Sequence, residues 1–104
     1  MVMVDLVLQL ISNIMKRKIL LITTKNCLGC SLQLKNVQSA ISKSSKDIEL
    51  EVKDFTELPK RIIAKYNAYD YPFTVYIIDD TVKFKSTGSC AVYQIVRYID
   101  LYLK

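Results

Sequence analysis

The sequence predicts an α/β domain with a mixed four-stranded sheet between helices, and three observations predict it. Apolar residues recur at three- and four-residue steps in several segments, the period of one helical face. Between these segments stand short runs that are β-branched and aromatic, or that alternate apolar with polar, as strands do. The resulting order is helix, strand, helix, strand, helix, strand, strand, helix. A strand-helix-strand unit of this kind pairs in parallel through a right-handed crossover, and the terminal strand pair adds an antiparallel hairpin.

Residues 2–17 place Met3, Leu6, Val7, Leu10, Ile11, Ile14 and Met15 on one helical face. The same stripe fits a short a/d seam, so this amphipathic helix either packs on its own domain or forms a weak dimer contact. Run 19–23 (ILLIT) suits a central strand covered on both faces. After the turn at Thr24, Lys25 and Asn26, residues Cys30, Leu34, Val37 and Ile41 define a helix reaching about Lys43. Ile48, Leu50 and Val52 then alternate with Glu49, Glu51 and Lys53 as a half-exposed strand. Thr56 is a candidate cap for a short helix that tolerates Pro59 in its first turn and ends near Asn67. Pro72 opens strand 73–78, and Asp79-Asp80 joins it tightly to strand 81–85, where Val82 and Phe84 alternate with polar neighbours. Ser89 is a candidate cap for a last helix with Val92, Ile95, Val96, Ile99, Tyr102 and Leu103 inward.

A chain of 104 residues suffices for one domain with one core, here residues 1–104. With 51% apolar and 24% charged residues, two Gly and two Pro, the composition excludes disordered and collagen-like classes. Histidine and tryptophan are absent, which removes imidazole acid-base catalysis, Ser-His-Asp and Cys-His nucleophiles, and His-dependent metal sites. The net charge of +5 is concentrated before residue 47, where Asp5 alone opposes seven bases. Such a bias can attract acidic partners, but the bases are dispersed and no nucleic-acid motif accompanies them, so a solvated basic face is the expectation. Run 6–15 is interrupted by Gln9, Ser12 and Asn13 and cannot span a bilayer as a helix. Its flanking bases follow the apolar stretch, the wrong polarity for a secretory signal, so a cytoplasmic location is expected.

The chemistry lies in Cys27-Leu28-Gly29-Cys30, between a strand and a helix. At a helix start, unpaired N–H groups and the positive dipole end favour a thiolate, which makes Cys27 the candidate nucleophile. Lys25 is a candidate electrostatic support. Cys30, one turn on and on the inward face, is the candidate resolving thiol. Two other readings stay open: zinc held with Cys90 or a second chain, or two cysteines that only fill core. Cys90 itself reads as a small residue at the start of the last helix, without a catalytic assignment.

Together with Cys27-Leu28-Gly29-Cys30, the segment Ile63-Ala64-Lys65-Tyr66-Asn67-Ala68-Tyr69-Asp70-Tyr71-Pro72-Phe73-Thr74-Val75 resembles the thioredoxin superfamily. The resemblance covers residues 19–103 and implies a thioredoxin-like β-α-β-α-β-β-α core in three α/β/α layers. Residues 1–17 form an extra N-terminal helix that looks more like glutaredoxin than like full-length thioredoxin. It implies a cis-Pro72, with Tyr71, Pro72 and Leu28 as the substrate platform. The implied activity is thiol-disulfide oxidoreduction on protein substrates, with a reductase or glutathione supplying electrons. No cofactor is implied beyond a redox-active Cys27–Cys30 disulfide. Glutaredoxins hold the glutathione carboxylate with a Gly-Gly pair where this chain has Gly88-Ser89-Cys90, so glutathione is unsupported. The dipeptide Leu28-Gly29 is neither the Gly-Pro nor the Pro-Tyr of those families, and run 19–22 lacks the family's buried proton-accepting acid. The rival expectation is a non-catalytic thioredoxin-like module that dimerises or docks through its N-terminal helix.

Overall fold

The computed structural model describes residues 15–104. The N-terminal helix expected over 2–17 lies almost wholly outside the described residues. Its last position is corrected, because Arg17 opens the first strand. Strand β1 is Arg17–Thr23, helix α1 Leu28–Lys43, β2 Ile48–Asp54, α2 Lys60–Tyr66, β3 Phe73–Ile78, β4 Thr81–Thr87 and α3 Val92–Tyr102. The strands are ordered β2-β1-β3-β4, with β1 parallel to β2 and antiparallel to β3, and with β3 antiparallel to β4.

β1 is central, and its unbroken apolar run is explained by two separate layers. Ile19 packs with Val37 and Ala40 of α1, Ile95 and Ile99 of α3, Tyr76 and Leu103. Leu20 and Ile22 face the other way, onto Ile63 of α2, Ala68, Phe73, Val75 and Ile77. Period-two alternation therefore feeds both layers from one strand. Arg17 extends the strand because it pairs with Ile48 and Ile78 and its Nε donates to the Leu103 carbonyl at 2.7 Å. β2 is an edge strand, and the Glu51 carboxylate meets Lys18 Nζ at 2.6 Å across the ladder.

Two caps differ from expectation. Asp54, rather than Thr56, is the capping residue: its carboxylate accepts from Thr56 N–H and Thr56 Oγ1, while Glu57 Oε1 accepts from Asp54 N–H. This box closes a 3-10 turn at Phe55–Glu57, not the helix. Leu58 is held extended before Pro59, so α2 starts only at Lys60 and ends on a left-handed Asn67 with φ 56°. Likewise α3 starts after Ala91 rather than after Ser89, and Gln94 Oε1 accepts the Ala91 N–H at 3.0 Å.

The hairpin turn at Asp79-Asp80 has positive φ at both residues, 49° and 65°, the pattern of a two-residue turn that matches strand twist. β4 runs two residues beyond the expected 81–85, because Ser86 and Thr87 still pair with Thr74 and Phe73. A register shift at Tyr76/Ile77 leaves Lys83 without a ladder partner. Consequently Phe84 packs with the α1/α3 layer and Val82 with the α2 layer, although residues two apart in a regular strand share a face. Among the described residues no helix is long and apolar enough to cross a membrane.

Candidate active site

β1 ends at Thr23, and a turn through Asn26, with φ 54°, delivers Cys27 as the N-cap of α1. Its Sγ accepts the Cys30 backbone N–H at 3.0 Å, so one of the helix's unsatisfied donors is aimed at this sulfur. Cys27 and Cys30 are joined as a disulfide with Cα atoms 5.2 Å apart. Cys30 is 6% exposed and Cys27 half-buried, while Leu28 between them is 91% exposed. One sulfur therefore faces outward beside an apolar side chain that makes almost no contact, and the other faces the core.

Pro72 is buried and preceded by a cis peptide bond from Tyr71. A Cβ placed on Gly29 would meet Pro72 Cδ at 3.4 Å, which sets the proline ring against the loop between the two cysteines. Gly88, with φ 86°, donates its N–H to the Pro72 carbonyl at 2.8 Å and brings the segment after β4 to the same end of the sheet. Tyr71 stacks on Phe55 at a centroid distance of 5.3 Å and donates its hydroxyl to the Ala68 carbonyl at 2.6 Å. Burial first, then the neighbouring Tyr69, Asp54 and Asp70, hold the Tyr71 phenol above its ordinary pKa, so it stays a protonated donor.

An open cleft of about 620 Å³ lies beside the disulfide, lined by Thr23, Cys27, Leu28, Cys30, Leu34 and Val52. Val52 is 41% exposed there, although the alternation of its strand marks it as an inward residue. A second groove of about 610 Å³ is lined by Phe55, Leu58, Ile63, Tyr69 and Tyr71. Lys25 is exposed. The Asp54 carboxyl is held below its usual range by hydrogen bonds from the Thr56 hydroxyl and N–H, and more weakly by the Lys25 charge, so part of the lysine's field is directed at that acid. Among the described residues no group of three or more Cys, Asp or Glu side chains is placed to hold a metal ion.

A polar cluster behind the disulfide was not evident from sequence. The buried line of α1 is Cys30, Gln33, Val37 and Ala40, while Leu34 and Ile41 are only half-buried. Gln33 and Thr74 are both fully buried, and Gln33 Nε2 donates to Thr74 Oγ1 at 3.0 Å. Gln33 Oε1 accepts the Cys90 N–H at 2.7 Å, and Asn36 Nδ2 donates to the Cys90 carbonyl at 2.8 Å. Cys90 is a free, half-buried thiol whose backbone is thus fastened to α1 at both ends. The one available signal was a glutamine three residues after Cys30, and an isolated amide reads equally well as an exposed helix residue.

No protein-family model matches the chain, and no curated protein matches it in sequence. Solved structures do match. Thioredoxin-2 of the malaria parasite, described as a component of its protein secretion machinery, superposes with a TM-score of 0.71 at 15% identity, over 84% of each chain. A second malarial protein gives 0.71 at 16% identity, over 86% of this chain and 99% of its own. Chloroplastic thioredoxin z gives 0.66 at 16% identity, over 85% of this chain and 79% of its own. The likeness to these neighbours spans most of the chain, and with its mixed four-stranded sheet and three described helices the chain has the thioredoxin fold.

Proposed function

We propose that the protein is a thiol-disulfide oxidoreductase acting on protein disulfides. The observation that carries this reading is the disulfide itself: Cys27 caps α1 beside an exposed leucine, and Cys30 is buried one turn behind it. In the reduced protein the Cys27 thiolate attacks one sulfur of a substrate disulfide, forming a Cys27–substrate bond and expelling the other sulfur as a thiolate. The Cys30 thiolate then attacks the Cys27 sulfur, the substrate leaves as its second thiolate, and the Cys27–Cys30 bond forms. Two electrons pass from the dithiol to the substrate, and two protons taken from solvent complete its thiols. The same steps reversed would donate a disulfide.

Leu28, Tyr71 and Pro72 form the apolar rim on which the partner rests, and the 620 Å³ cleft past Leu28 accepts its flanking side chains. Helix-terminal donors stabilise the Cys27 thiolate, with Lys25 as a peripheral contributor. β1 carries no carboxylate, so proton transfer at Cys30 is left to water or to another group.

Cys27→Ser is expected to abolish exchange with a protein disulfide, and Cys30→Ser to accumulate the mixed disulfide, both read by alkylation and mass. Unchanged exchange by Cys27→Ser rejects the mechanism. Equilibration against glutathione buffers then assigns direction, because a potential near about −270 mV belongs to a reductase and one near about −120 to −180 mV to an oxidase or isomerase.

A further inference from the structure

We propose that Gln33 is a positioning residue for the second step of exchange, the attack by Cys30; this rests on the redox reading above. A fully buried amide on the inner face of a helix is costly unless both its ends are hydrogen-bonded, and here both are used on different segments. Nε2 holds Thr74, two residues after Pro72 on β3, and Oε1 holds the backbone of Cys90, two residues after Gly88. Gly88 in turn donates to the Pro72 carbonyl at 2.8 Å. Gln33, Thr74, Pro72, Gly88 and Cys90 therefore form a closed polar and covalent circuit through α1, the start of β3 and the segment before α3.

These three segments converge on the disulfide, and Gln33 sits three residues after Cys30, one turn along the same buried face. Apolar packing alone would tolerate small sliding of α1 along β3, whereas the 3.0 Å bond to Thr74 fixes its register there and the 2.7 Å bond to the Cys90 backbone fixes it against the segment before α3. That register sets where the Cys30 sulfur lies relative to a mixed disulfide held on Cys27 against Pro72. The resolving attack needs three sulfurs nearly in line, and its rate depends steeply on small displacements. The first attack needs the same alignment, but there a mobile substrate reaches it by turning about a half-buried sulfur at the helix start, so it does not depend on the register of α1.

The test separates the two steps on the full chain. The reduced protein is mixed with a short cysteine peptide carried as its mixed disulfide with thionitrobenzoate. Attack by Cys27 on the peptide sulfur expels thionitrobenzoate, the better leaving group, and its colour reports the first step. Free peptide thiol in acid-quenched samples reports the second. Gln33→Leu is expected to release thionitrobenzoate within about twofold of the wild-type rate and peptide about tenfold more slowly. Thr74→Val, a near-isosteric change that cuts the same link to β3, is expected to slow the same step and keeps the test alive where Gln33→Leu fails to fold. Asn36→Leu, which loosens Cys90 but never touches β3, is expected to match wild type in both steps. Wild-type peptide release by folded Gln33→Leu or Thr74→Val overturns the assignment, as does equal slowing by Asn36→Leu. Failure of the wild-type protein to release thionitrobenzoate instead overturns the redox reading beneath it.

Discussion

Tyr76 lies at the centre of the α1/α3 layer, with 0% exposure and a hydroxyl that has no hydrogen-bond partner among the described residues. Its ring is well used, 5.7 Å from Phe84 and 6.0 Å from Tyr98 in tilted and edge-on contacts. Burial, with smaller contributions from Cys90 and Tyr98, pushes the phenol far above its ordinary pKa, so the group stays neutral across the accessible range. A neutral but unpaired hydroxyl still forfeits its hydration, and replacing it by hydrogen keeps the aromatic contacts. Tyr76→Phe is therefore expected to stabilise the fold by about 1 kcal/mol in urea denaturation; a loss of stability would show that the hydroxyl has a partner in solution. At this scale Cys27 and Cys30 stood out in the sequence because thiol chemistry belongs to the residue type, whereas Pro72 was singled out by the resemblance of segment 63–75. Gln33 and Thr74 were not, because a buried amide-hydroxyl pair is created by the meeting of two elements 41 positions apart.

The β3–β4 hairpin shows how an element carries both legible and hidden features. Its turn was legible, since two aspartates between β-type runs tolerate left-handed backbone better than most residues. Asp79 has a further structural task, because its Oδ1 accepts the Lys16 N–H at 2.9 Å, whereas Asp80 has no comparable bond among those described. Asp80→Gly relieves the side-chain cost of φ 65° without touching the Lys16 contact. The expected gain is about 0.5–1 kcal/mol, read as a raised thermal midpoint with unchanged exchange activity. A drop in midpoint would mean that the Asp80 carboxylate has a role that backbone relief does not offset. The bulge at Lys83 was not legible: Val82 and Phe84 look like one face, and only the ladder with Tyr76 and Ile77 sends them to opposite layers. Capping was misplaced for a related reason. Thr56 and Ser89 have the correct chemistry for caps, but Asp54 closes its own 3-10 turn, and the segment around Ser89 is held by α1 through Cys90.

Across the whole molecule, the two ends of the described chain are fastened together. Arg17 at the start of β1 donates to the carbonyl of Leu103, just past α3, and the Leu103 side chain is fully buried with Ile19, Val37 and Tyr76. Leu103→Ala opens a cavity where strand and both large helices meet, so a loss of roughly 2–5 kcal/mol in urea denaturation is expected. A loss below about 1 kcal/mol would mean that the end of α3 frays and the layer closes without it. The same closure explains why the candidate site stands at the opposite end of β1: its C-terminal end, with the α1 N-terminus, the start of β3 and Gly88, is where helix donors and backbone are free to meet a partner.

From the sequence by itself came the element order from the first strand on, the doubly covered central strand, the tight hairpin turn and the Cys27-x-x-Cys30 motif, because periodicity, breakers and thiol chemistry are local properties, while Tyr71-Pro72 was marked by the resemblance of its segment. Tertiary structure alone decided that Leu28 stands 91% exposed beside the disulfide, that Val52 opens onto its cleft, and that Gln33 ties α1 to two other segments at once. Burial and hydrogen-bond partnership depend on which surfaces meet. That is set by strand order and register, and no residue's own spacing carries that information.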